Sequence, residues 1–178
     1  MHRVLEAAEV LQNANDLSIQ FLLVGGGSEK PRLQKEALEK NLKNVTFHDP
    51  VTPEMLVPLI NLSDIGLVHV RNSPLASETR PAKMFPLMAM AKPVVFAGFG
   101  EGAELLEKLG AGVVTKVEDP ADLIRGIKEL IANPEMARTM GQKGEAFVHG
   151  KMSFAAITCD WLNDFSSRAA ALGKLRKE

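Results

Sequence analysis

The chain has 178 residues, a formal net charge of -1, one Cys, one Trp and no Tyr. That length suits a single domain of about 100–200 residues, and 46% hydrophobic with 24% charged residues excludes global disorder. A lone Cys excludes an internal disulfide framework and a multi-cysteine zinc site, near-zero charge argues against a nucleic-acid partner, and no apolar run approaches the roughly 20 residues that span a bilayer. His2 and Arg3 lead straight into an amphipathic pattern rather than a secretory leader. The expectation is a soluble protein of a reducing, cytoplasmic compartment.

Helix and strand signals alternate. Val4, Leu5, Ala8 and Leu11 recur at helical spacing, so the chain opens on a helix where a doubly wound domain would open on a strand. Ile19–Val24 is a short apolar run ending at Gly25-Gly26-Gly27, as expected of a buried parallel strand. A helix through Leu33, Ala37, Leu38 and Leu42 leads to a second strand, Asn44–Phe47, followed by His48-Asp49-Pro50. Thr52-Pro53-Glu54 reads as a helix start, and Ile65–Val70 as a third strand. A polar loop, Arg71 to Arg80, precedes a helix predicted from Pro81 through Ala91. Pro93–Ala97 is a fourth strand, Ala103–Leu109 a short helix and Gly112–Thr115 a fifth strand. Asp119-Pro120 and Asn133-Pro134 start two further helices, each with a side-chain cap before Pro. Ser153 caps a last helix whose stripe of Phe154, Ile157, Trp161, Leu162 and Phe165 is expected to pack within the domain, with Cys159 as a small apolar residue on it. The domain spans 1–165, and 166–178 is a basic, frayed tail.

This alternation predicts an α/β fold: a Rossmann-like, doubly wound parallel sheet of five strands with C-terminal helices. Ligands of such sheets bind beyond the carboxyl ends of the strands, which singles out the loops 25–31, 71–81 and 98–103. In the first, glycines let backbone amides approach a phosphate; a tight turn without a ligand is an equal alternative. A dinucleotide fingerprint wants a third Gly where Lys30 stands, which leaves an NAD-type domain, with Asp49 as its acid, as a minor reading. In the second loop, Arg80 and Lys83 beside a helix N-terminus would make sense around a diphosphate, or as a solvated basic turn. In the third, Glu101 and Glu104 could accept from sugar hydroxyls, or serve only the first turn of a helix. His69 reads as a packed, hydrogen-bonded strand residue, His48 as either that or a site group, and Met84, Met88 and Met90 as adaptable packing. No zinc motif or hydrolase elbow is present.

Taken in order, Phe21–Gly27, Asn44–Phe47, Ser63–Val68, Pro81–Phe85, Met88–Val95 and Gly110–Val114 resemble the C-terminal, donor-binding half of a retaining, two-Rossmann-domain (GT-B) glycosyltransferase of family 4. The similarity covers Val4 to Phe165 and is nearest to the Pro-Ser-Lys-x-Phe-Glu subgroup, of which the chain looks like a divergent member. The resemblance implies a transferase that takes a UDP- or GDP-linked sugar as substrate, with no cofactor or metal, for polysaccharide or glycoconjugate synthesis. It implies donor contacts from Gly25, Gly27, Pro50, Val51, Arg80, Pro81, Lys83 and Glu104, with Pro50 and Val51 near the base. It leaves the catalytic residues unassigned and has the leaving diphosphate stabilised electrostatically. Two departures stand out: Pro86 occupies the position of the family's ribose-binding Glu, and Ala82 that of its Ser, while Glu78 falls at the spacing of a second family acid. Pro86 should kink the helix near Met88 or mark an irregular start. A catalytically degenerate binding or assembly module is therefore the alternative.

The resemblance also implies a partner acceptor-binding domain, without which the chain would be inactive, and through which it would sit peripherally at the inner membrane face. It implies a strand ahead of the Val4 helix too, which lies mid-sheet in the usual strand order. Without it the strands at Ile19 and Ile65 would flank a gap, and the sheet must close up, borrow a strand or self-associate.

Overall fold

Strand and helix alternate along the computed structural model, which describes residues 2–175. In chain order the elements are α1 (His2–Asn13), β1 (Phe21–Val24), α2 (Lys30–Glu39), β2 (Val45–His48), α3 (Pro53–Leu62), β3 (Gly66–His69), α4 (Pro74–Ser77), α5 (Met84–Ala89), β4 (Val94–Ala97), α6 (Glu101–Leu109), β5 (Gly112–Thr115), α7 (Pro120–Ala132), α8 (Pro134–Phe147), a π-helical turn (Val148–Met152) and α9 (Phe154–Leu175). Every strand pairing is parallel. Phe21 lies opposite Val45, Gly66 opposite Val94, and Val94 in turn opposite Gly112. The fold is the α/β, Rossmann-like arrangement expected, with one difference. The five strands form two sheets, β1-β2 and β3-β4-β5, and β1 does not pair with β3. The sheet has not closed over the gap.

Helices cover both faces. On one face α1 and α7 lie over the strands, and Val4, Ala7, Ala8 and Leu11 join Phe21, Val95, Ala97, Val113, Leu123 and Ile127 in a single core. Leu5 packs with Leu33 and Ala37 of α2. On the other face α5 and α6 bury Met84, Met88, Ala103 and Leu106 against Val68, Val94 and Phe96. All four residues of β4 are buried, as its central place between two strands requires.

Several local expectations change. The helix predicted from Pro81 begins only at Met84. Pro86 lacks an amide proton, so it is tolerated in a first turn but not further in, and the irregular start wins over a kink. The short α4 interrupts the loop after β3. Asp119 caps α7 by accepting from the Asp122 amide (3.0 Å), and Ser153 accepts from the Ala156 amide (3.2 Å). Asn133 instead donates its side-chain amide back to Glu129 O (2.8 Å) and does not cap α8. The aromatic stripe of α9 is not core. Phe154 is 93%, Trp161 61% and Phe165 59% exposed, and the last two stack on each other with centroids 5.6 Å apart. Cys159 is exposed rather than packed, and α9 continues through Ser166.

Gly141 seats α8: a Cβ there would lie 1.9 Å from the carbonyl oxygen of Ala91. Gly141→Ala should therefore destabilise the fold by about 3 kcal/mol or more in urea denaturation. Gly150→Ala, whose Cβ would meet nothing within 4 Å, should change the midpoint little.

Candidate functional site

The site is built at the carboxyl edge from two pairs of loops, one pair for each sheet. After β1, Gly25 (φ 138°) and Gly27 (φ 125°) adopt backbone conformations that side chains strongly disfavour. The space above both is open, since a Cβ at either would touch nothing within 4 Å. Gly26 is different: a Cβ there would come within 3.1 Å of Pro50, so the loop after β2 packs directly on the first. Lys30 locks the two together. Its ammonium donates to Gly25 O (2.9 Å), His48 O (2.8 Å) and the Asp49 carboxylate (2.7 Å). The Lys30 hydrogen bond holds the Asp49 carboxyl below its ordinary range. Lys30 therefore stands where a dinucleotide turn wants Gly because it is a clamp, and Asp49 is bound to it rather than free for a ribose. His48 directs Nδ1 at Asp49 O (2.9 Å).

The second pair joins the segment after β3 to the one after β4. Gly100 (φ 81°) lies so close to the chain that a Cβ would sit 2.4 Å from Ser77 Cα. Pro81 packs on Gly102, and Arg80 pairs with Glu101 (2.5 Å) at the start of α6. Lys83, next to α5, and Glu104, in the first turn of α6, are exposed, and Lys83 makes no ion pair among the described residues. Thus Gly25, Gly27, Pro50 and Val51 fall in one tied group, and Arg80, Pro81, Lys83 and Glu104 on the other side. Arg80 is already engaged by a carboxylate. Helix α5 has six residues and starts at Met84, so Lys83 stands at its N-cap as expected while Arg80 lies outside the helix N-terminus.

A polar cleft of about 550 Å³ opens near the end of β3 and the start of α1. It is lined by His2, Arg3 and Glu6 of α1, Glu29 and Arg32 around the start of α2, His69 and Arg71 at the end of β3, and Glu118. Because α1 runs antiparallel to the strands, its first turn arrives at their carboxyl edge. That relation, applied to His2 and Arg3, was the available signal. Within the cleft Arg3 pairs with Glu6 (2.7 Å), Arg32 with Glu29 (3.3 Å) and His2 with Glu36 (2.6 Å). His69 departs from the hydrogen-bonded role expected of it, for its Nε2 is buried without a partner. Burial pushes its pKa down to about 4, with Lys83 acting in the same direction and Glu118 opposing. A second cleft of about 540 Å³, lined by Asn72, Gly98, Phe99 and residues 114–117, opens at the ends of β4 and β5. Among the described residues no group of three His, Cys, Asp or Glu could hold a metal ion, and no helix is long and apolar enough to cross a membrane.

Comparison with known proteins shows the family and the fold. Residues 1–147 match the family model for glycosyl transferases group 1. The glycosyl transferase named WcaI of Escherichia coli (strain K12), assigned provisionally to colanic acid biosynthesis, is 28% identical over 138 residues, covering 76% of this chain and 33% of its own length. The structure of Anabaena HepE in complex with UDP superposes with a TM-score of 0.75 at 20% identity, over 94% of this chain and 45% of that one. The C-terminal domain of the group 1 family protein LpcC from Francisella tularensis superposes with a TM-score of 0.66 at 17% identity, over 85% of this chain and 78% of that domain. These structures show the fold, and the chain spans about a third of the length of the curated relatives it matches.

Two outcomes follow from the site geometry. Lys30→Met removes three charge-assisted bonds and should cost about 1–3 kcal/mol, with faster amide exchange across residues 25–29. His69 binds a proton less readily folded than unfolded, so its contribution to stability is complete above about pH 6.5 and is lost as pH falls toward 4. His69→Leu should therefore flatten the pH dependence of the denaturation midpoint between those values, relative to the parent, by on the order of 2 kcal/mol.

Proposed function

Since the chain belongs to the group 1 glycosyl transferases, we propose that it is the donor-binding half of such an enzyme. It takes a nucleotide-diphosphate sugar, UDP- or GDP-linked, as substrate and presents the sugar for transfer to an acceptor in polysaccharide or glycoconjugate synthesis. The observation that carries this reading is the pairing of loops that follow the strands: one tied group leaves open space above Gly25 and Gly27, and the other carries Lys83, which makes no ion pair among the described residues. The crevice outside the strand ends is where doubly wound sheets hold ligands. HepE, of matching fold, is known in complex with UDP, which supports the nucleotide class.

In this proposal Gly25 and Gly27 leave their loop open to a phosphate, and Pro50 and Val51 border the base. Lys83 meets the diphosphate as a point charge, and Arg80 does so on release from Glu101. Pro81 shapes the same turn, and Glu104 accepts from a sugar hydroxyl. Departure of the nucleoside diphosphate is then favoured by fixed positive charge. An acceptor-binding domain completes the enzyme, and this chain alone does not turn over. A peripheral position at the inner membrane face through that domain belongs to the same proposal.

One observation favours the alternative of a degenerate binding or assembly module. Pro86 is exposed in the first turn of α5 and offers no carboxylate. The two readings separate on titration with UDP-, GDP- and ADP-sugars followed by amide shifts. The donor reading expects one of them to perturb Gly25, Gly27 and Lys83, and Lys83→Ala to weaken that binding about tenfold or more. Absence of binding by all three would sink the donor reading, and binding gained only in Pro86→Glu would favour the degenerate module.

A further inference from the structure

The turn that follows β2 holds one hydrogen-bond acceptor in a fixed place. Lys30 is largely enclosed, with 16% of its side chain exposed. A lysine ammonium has three N–H donors, and Lys30 uses them on Gly25 O, His48 O and Asp49 Oδ1. It therefore pins the Asp49 carboxylate to the wall made by the first two loops and has no donor left for a ligand. Asp49 is the opposite case. Its side chain is 90% exposed, and Oδ2 makes no hydrogen bond among the described residues. A carboxylate has about four acceptor positions, and Lys30 takes one of them. The Lys30 bond also keeps the carboxyl below its ordinary range, so near neutrality the group is ionised and can only accept.

The other polar groups of this turn are spent. His48 O accepts from the Gly25 amide (3.2 Å) as well as from Lys30, and His48 Nδ1 is directed at Asp49 O. Asp49 immediately precedes Pro50, whose ring packs on Gly26. What the turn offers a ligand is thus an acceptor, held beside Pro50 and tied through Lys30 to the open glycine loop.

In the donor reading proposed above, on which this inference rests, Pro50 and Val51 border the base of the nucleotide. Bases differ in the donors on their hydrogen-bonding edges. Guanine presents two adjacent ones, N1–H and the 2-amino group, which a carboxylate meets with two parallel bonds. Uracil presents one, N3–H, between two carbonyl oxygens that a carboxylate repels, and Lys30 has no spare N–H to offset them. Adenine presents one, its 6-amino group, beside an acceptor nitrogen. We propose that Asp49 is the specificity-determining residue for the base and selects guanine, so that the donor is a guanosine-diphosphate sugar. Lys30 is then a positioning residue, acting through the carboxylate it holds.

Titration of the chain with free GDP, IDP, UDP and ADP isolates the base, because all four carry the same ribose and diphosphate. IDP lacks only the 2-amino group of GDP, so it removes one of the two bonds without altering the protein. GDP should bind about tenfold tighter than UDP or ADP, and IDP about threefold or more weaker than GDP. Asp49→Asn should weaken GDP about tenfold and leave UDP within about twofold. Three results would overturn the proposal and leave the donor reading standing: UDP or ADP bound as tightly as GDP, GDP and IDP bound alike, or Asp49→Asn weakening all four equally, which would mean that Asp49 serves only the loop clamp. Binding of none of the four would remove the donor reading as well.

Discussion

The two sheets of this domain share no hydrogen bond, and what unites them is the apolar face of α1. Val4, Ala7, Ala8 and Leu11 meet Ile19 and Phe21 on one side and Val95, Ala97 and Val113 on the other. Burying a side chain such as Val4 or Leu11 stabilises by about 1.5–3 kcal/mol, so one helix turn after another ties the halves together. Such burial is non-directional, however, and fixes no register. Register is set within each half by its own parallel ladder. Directional links across the structure are few and polar. Asn44 Nδ2 donates to Ala8 O (2.9 Å) in a buried contact between α1 and the start of β2, and Lys128 of α7 pairs with Asp16 just beyond α1 (2.8 Å).

Much of the fold was legible for a simple reason. The strands are short aliphatic runs bounded by Gly, Pro or Asn, and burial on both faces writes such runs without alternation. Residues 94–97 are the clearest case, with all four buried. Asp119-Pro120 was equally legible because a carboxylate before Pro has one main local use, accepting a first-turn amide. The misreadings share a cause as well. Periodicity along α9 marks an apolar face but says nothing about what covers it, and Trp161 and Phe165 cover each other instead. Pro81 looked like a helix opener, but Pro86 five positions on can only occupy a first turn, and it moved the start to Met84.

The site shows the same division between position and partnership. Its loops could be named from the rule that ligands gather at carboxyl strand ends. The partners of their charged residues could not, because tertiary structure decides them. Lys30 looked like an obstacle to a phosphate turn and is the group that binds the first two loops into one wall. Arg80 looked like a free cation and is held by Glu101. The apolar stripe of α1 marks the face it buries but not where its first turn lands, so the place of His2, Arg3 and Glu6 in the cleft is a tertiary fact.

That first turn bears on how the cleft meets an anion. Arginine and carboxylate side chains line it, and most of them are matched in pairs: Arg3 with Glu6, and Arg32 with Glu29. Two histidines also line it, and burial holds one of them, His69, neutral down to about pH 4. Arg71 is exposed beside it and makes no ion pair among the described residues. The field of these charges depends on ionic strength, since charges in an open cleft are screened over roughly 10 Å.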